Sequence, residues 1–165
     1  MKYTKTTVIS IAILLLTGAG LIIYRHKQTQ ARQDYIHDRG VMVMPFDLDK
    51  TTHFFTKTKE GGVQKILVKD PQDSEQIDLI RTHLQKEAEL FNKGDFSDPS
   101  ALHGESMPGL SVLEQSADKV AVEYSDIPDG GQLTYITDDP EIINALHLWF
   151  MAQLQDHGMD AMEHK

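Results

Sequence analysis

The sequence predicts an α+β protein: an N-terminal transmembrane helix followed by a two-layer domain, in which a four-stranded antiparallel sheet is built by running β-hairpin–helix twice. Three observations carry this expectation. The chain opens on a charge-free apolar run, Val8 to Ile23. It then holds two pairs of β-branched and aromatic segments folded about Gly-Gly, and each pair is followed by Asp-Pro and apolar residues at helical spacing.

The N-terminal run is preceded by Lys2 and Lys5 and followed by Tyr24, Arg25, His26 and Lys27. At ~1.5 Å per residue, the stretch 8–24 reaches the lower end of what spans a hydrocarbon core. The small residues Thr17-Gly18-Ala19 offer the competing reading of a cleaved signal peptide, but Leu21-Ile22-Ile23 prolongs the apolar run past that site. The chain therefore divides into a basic leader (1–7), a signal anchor (8–24), a polar juxtamembrane stalk (25–40), an α+β domain (41–157) and a disordered tail (158–165). A short basic leader favours a single pass through a bacterial inner membrane with the domain in the periplasm, although basic residues flank both ends.

In the first half of the domain, Thr51–Lys59 and Val63–Lys69 are strands joined at Glu60-Gly61-Gly62, where glycine supplies the backbone freedom of a tight turn. After Asp70-Pro71 a helix is expected from Gln72 to Asn92, capped by Asp73 or Ser74 and stopped by Gly94. The second half repeats the order. Strands Lys119–Asp126 and Gln132–Thr137 flank Pro128-Asp129-Gly130-Gly131, and a helix from Glu141 to Asp156 follows Asp139-Pro140. Each helix has an apolar stripe, Ile77, Ile80, Leu84, Ala88 and Phe91 in one and Ile143, Leu146, Phe150 and Leu154 in the other. Laying both on one sheet face is the simplest joint solution. Between the halves, 94–109 is a long polar loop, and Leu110–Ser116 adds one helical turn.

Charge narrows the partners. Cutting away the first 32 residues removes five of the 16 Lys and Arg and none of the 25 Asp and Glu, so the remainder is near −14 against −9 for the whole chain. Such a surface repels phosphate backbones, which argues against nucleic acid. With no cysteine, disulfides, thiolate zinc sites and iron–sulfur clusters are excluded. No Gly-x-Ser-x-Gly elbow occurs, and the Gly-Gly pairs are hairpin turns, not phosphate cradles. No nucleophile and base can be paired, so the reading leans away from an enzyme.

The eight histidines are the feature that stands out. His83 and His147 sit at the margins of the two helical stripes and should approach each other if both helices cover one face. His53 lies on the first hairpin just after Asp47 and Asp49, and His103 shares the long loop with Met107. Imidazole, carboxylate and thioether are all competent ligands: nitrogen with sulfur suits copper, nitrogen with oxygen suits zinc. His53, His83, His103 and His147 are thus the candidate metal ligands, with Asp47, Asp49 and Met107 as weaker ones. The spacing is not diagnostic, since there is neither His-Glu-x-x-His nor His-x-His. Against this stands the ordinary role of a histidine beside an apolar stripe, that of a hydrogen-bonded structural residue. For His157 it is interaction with the helix dipole, and for His53 a solvent-facing strand position.

The run Phe46-Asp47-Leu48-Asp49-Lys50-Thr51-Thr52-His53-Phe54, with Ile80-Arg81-Thr82-His83-Leu84 and the Gly130-Gly131 hairpin, resembles a family of small uncharacterised bacterial proteins, some labelled aspartate carbamoyltransferase. The resemblance implies only that His53 and His83 fall in family motifs. Aspartate carbamoyltransferases share a two-domain α/β fold about twice this size and a Ser-Thr-Arg-Thr phosphate-binding motif, which this chain lacks, so the enzyme label is rejected. The expected function is a membrane-anchored, non-enzymatic domain binding a transition metal or small ligand through histidines. The alternative is an acidic protein-interaction module of an envelope complex that contacts its partner through the 94–109 loop.

Overall fold

The structure, a computed structural model, describes the backbone of residues 5–163 and the side chains of 18–163. It runs α1 (Lys5–Val43), β1 (Thr51–Thr58), β2 (Gly61–Val68), α2 (Ser74–Phe91), α3 (Ser97–His103), α4 (Leu110–Gln115), β3 (Ala121–Ile127), β4 (Gly130–Ile136), α5 (Pro140–His157) and β5 (Ala161–Glu163). The α+β class stands. The four-stranded antiparallel sheet is corrected to a five-stranded mixed sheet of order β3-β4-β2-β1-β5. The fifth strand comes from the segment expected as a disordered tail. There Ala161–Glu163 pairs in parallel with His53–Phe55, which a three-residue strand with no alternation of its own does not announce in sequence.

Both hairpins form, but they turn at Lys59-Glu60 and Pro128-Asp129, and each Gly-Gly pair opens the second strand instead of making the turn. His53 pairs with Ile66, and Ile66 in turn with Gly131. Side chains on a strand alternate between faces, so His53, Phe55, Gln64, Ile66, Leu133 and Tyr135 share one face, and all are buried. α2 and α5 cover that face: a Cβ on Gly131 would meet Leu84, and one on Gly62 would meet Phe150. The caps follow the expected chemistry. Asp73 accepts from the Gln76 amide at the start of α2, and Asp139 accepts from the Glu141 amide at the start of α5. The core stripe of α2 is as expected. In α5 Leu146 and Phe150 are buried as expected, while Ile142, Ala145 and Trp149 are buried in place of Ile143 and Leu154, because α5 is also packed by α1 and α4 and buries a wider face.

The transmembrane anchor expected over 8–24 is corrected. α1 is a single helix of 39 residues that continues through the basic and polar segment as far as Val43. Among the described residues no helix is long and apolar enough to cross a membrane, so the membrane partner and the single-pass inner-membrane localisation lose the spanning helix on which they rested. The side chains of 5–17, which make up much of the apolar run, lie outside the described residues. The segment expected as a stalk belongs to the packing of the domain. Ile36 is fully buried, Gly40 lies against Leu48, where a Cβ would stand 2.6 Å from its Cδ1, and Arg32 reaches Asp156 on α5. The helix ends at Val43 because Pro45 disfavours helical geometry at Met44.

Candidate functional site

β1, α2, α3 and α5 together enclose a cavity of about 30 Å³ on the helix-covered face of the sheet. β1 directs His53 inward. α2 contributes His83 and Glu87, four residues apart and therefore on one helical face. α5 contributes Trp149, Gln153 and His157 at the same spacing over two further turns, and α3 closes the space with Asp98, Leu102 and His103. A volume of this size suits ordered water or a single ion, not an organic substrate.

Of the candidate ligands, three reach this cavity: His53, His83 and His103. His147 does not, because its Nε2 donates to the Gly61 carbonyl at 2.8 Å across the β1–β2 turn, so the expected approach of His83 and His147 fails. Asp47 caps the short 3-10 turn Leu48–Lys50 by accepting from the Asp49 amide, and Asp49 is exposed beside His37. Met107 is buried behind His103, on a separate hollow with Arg32 and Asp156. The 94–109 segment is not an open loop. It folds as α3 over the cavity and buries Phe96, Leu102, His103 and Met107.

Sequence reading passed over Glu87, Trp149 and Gln153 and gave His157 only an interaction with the helix dipole. The signal was present in α5, where Trp149, Gln153 and His157 recur every fourth residue on a buried face. His157 is a central member of the site. Its ring stacks on His53 at 4.8 Å and 12° and meets His103 edge-on at 4.9 Å.

Most of the titratable groups around the cavity are held neutral. Burial pushes His53 down to about 4, with the neighbouring His83 adding to the shift, and burial likewise takes His83 to about 4. His157 is depressed well below its ordinary range, by burial and then by His53 and His103. All three are neutral imidazoles at pH 7. Burial, followed by a hydrogen bond with Asp98, raises Glu87 to about 8, so it holds its proton, while Lys86 at 2.9 Å keeps Asp98 ionised. Behind His103, Asp156 is opposed by burial. Hydrogen bonds from His103 and Arg32 outweigh that penalty and hold it at about 2.

Four buried side-chain atoms among the described residues have no hydrogen-bond partner in the protein: His53 Nδ1, Glu87 Oε1, Trp149 Nε1 and Gln153 Nε2. All four residues line this one cavity. An unsatisfied buried polar group costs roughly 1–3 kcal/mol, and four on one cavity mark a place built to hold something polar. Among the described residues no three His, Asp or Glu side chains form a group that could hold a metal ion as they stand. The stacked rings of His53 and His157 direct their in-plane lone pairs side by side and not at a common point. No protein-family model, curated protein or solved structure matches this chain.

Proposed function

We propose that this chain is a non-enzymatic binding domain whose histidine-lined cavity takes a small ligand, a divalent transition-metal ion such as zinc or copper. The observation that carries the reading is the gathering of partnerless buried polar atoms and contacting imidazoles on a single cavity. Neutral imidazoles favour a metal over other small solutes, since a ligand nitrogen must be deprotonated and these need shed no proton at pH 7. Capture turns at least one of the stacked rings, so that His53 or His157 can direct a nitrogen at the ion together with His103 or His83. The alternative of an acidic protein-interaction module would use the outer side of 94–109, where Asp95, Ser97, Glu105 and Ser106 are exposed.

Isothermal titration of the full chain with Zn²⁺ and Cu²⁺ tests the reading, with fluorescence of Trp149, the single tryptophan, as a local reporter. Binding tighter than about micromolar is expected, accompanied by a change in Trp149 emission. It should weaken at least tenfold in His53→Ala plus His157→Ala and stay unchanged in His147→Ala. Absent binding, or binding indifferent to the first pair, ends the proposal.

A further inference from the structure

His103 has one ring nitrogen committed to a charged side chain. Its Nδ1 lies 3.0 Å from Asp156 Oδ2. The same carboxylate accepts from Arg32 at both oxygens, Nε to Oδ1 at 3.0 Å and an Nη to Oδ2 at 2.6 Å, and that Nη also donates to the His103 carbonyl at 2.6 Å. A carboxylate held in this two-point fork by a guanidinium is ionised and can only accept. The His103 contact is therefore Nδ1–H donating to Asp156.

The other nitrogen, Nε2, lies on the far side of the ring from Asp156. The ring is buried against His157 and lines the cavity. We infer that Asp156, clamped by Arg32, is a positioning residue that fixes a proton of His103 on Nδ1 and so leaves Nε2 as the ring nitrogen that faces the cavity as a donor atom. Carboxylate–histidine pairs of this kind fix the tautomer and raise the basicity of a ligating imidazole. Here the chain of contacts runs from α1 through α5 to α3, so the helix expected as a stalk sets the chemistry of a buried nitrogen. As a statement about ligand capture this rests on the reading of the cavity as a metal site; as a statement about the tautomer it stands alone.

The two are separated by measuring each. In the metal-free full chain at pH 7.5, nitrogen-15 NMR should show His103 with a protonated Nδ1 and an unprotonated Nε2. A proton on Nε2, alone or together with one on Nδ1, overturns the inference whether or not metal binds. Asp156→Leu removes the acceptor that holds the proton on Nδ1, so the Nε2-protonated form, the more populated tautomer of a free neutral imidazole, should appear. Zn²⁺ affinity should fall on the order of 10- to 100-fold, with Arg32→Gln falling less. An Asp156→Leu chain that keeps the wild-type tautomer while merely losing stability assigns Asp156 a structural role and rejects the positioning one. If the tautomer switches but the wild-type chain takes up no Zn²⁺, the metal reading fails and the positioning of the proton survives.

Discussion

At the scale of single residues, the cavity wall trades stability for availability. Gln153 is buried, and its Nε2 donates to nothing in the protein. Methionine has nearly the same length and carries no donor, so Gln153→Met should remove a desolvation penalty of about 1 kcal/mol or more. The metal-free protein should become more stable by that order in urea unfolding, while Zn²⁺ uptake weakens. A loss of stability would mean that the amide is already satisfied and the cavity is not held ready for a ligand. This arrangement was only partly legible in the sequence. His83 was singled out because it sits at the margin of an apolar stripe, and His53 because it follows Asp47 and Asp49 on the first hairpin. Gln153 and Trp149 read as an ordinary polar residue and an ordinary core aromatic, and only the fold brings their N–H groups to one space. His147 shows the converse: its position beside a stripe is the same as that of His83, but a local backbone carbonyl, not the cavity, takes its nitrogen.

At the scale of elements, α1 joins two unlike segments. Residues 18–28 are exposed, whereas from Thr29 onward the helix turns side chains toward α5 and α3. Ile36 is fully buried, and Arg39 donates to the Ala101 carbonyl on α3. Removing residues 1–27 should therefore leave the melting temperature within a degree or two of the full chain. Ile36→Ala in the full chain should cost about 2–5 kcal/mol, as for other buried aliphatic truncations. A truncation at 27 that unfolds the domain, or an Ile36→Ala chain of unchanged stability, would show that α1 is not docked in this way. The hairpins and the caps at Asp73 and Asp139 were legible because each is dictated by local chemistry: glycine next to a turn, a carboxylate at a helix start. The docking of α1 and the pairing of β5 with β1 were not, since neither depends on a local pattern. A polar segment with one isoleucine per few turns and a three-residue strand gain their structure only from what they lie against.

At the scale of the whole molecule, the buried ionisable groups set an optimum of stability against pH, and the two sides of it have different owners. On the acid side, His53 and His83 have folded values of about 4 against an ordinary 6.5, and His157 is depressed as well. The unfolded chain binds these protons first, so their contribution is complete above 6.5 and is lost as pH falls toward 4, on the order of 3 kcal/mol for each of the first two. Glu87 works in the opposite sense. Its folded value of about 8 stands above an ordinary 4.5, so the folded state keeps a proton that the unfolded one releases, and its contribution is lost as pH rises from 4.5 through 8. Between 4.5 and 6.5 the three histidines outweigh the single carboxyl, and stability rises with pH. Between 6.5 and 8 the histidines are neutral in both states, Glu87 dominates, and stability falls by about 2 kcal/mol. The raised value of His37, hydrogen-bonded to Asp160, adds a smaller decline of the same sign. Urea unfolding of the metal-free chain from pH 4 to 9 should thus give a maximum near pH 6.5. In Glu87→Gln the acid limb should survive, and most of the decline above 6.5 should disappear. A stability that climbs steadily to pH 8, or a Glu87→Gln profile that parallels the parent, would mean that the Glu87 carboxyl is ionised in the folded protein.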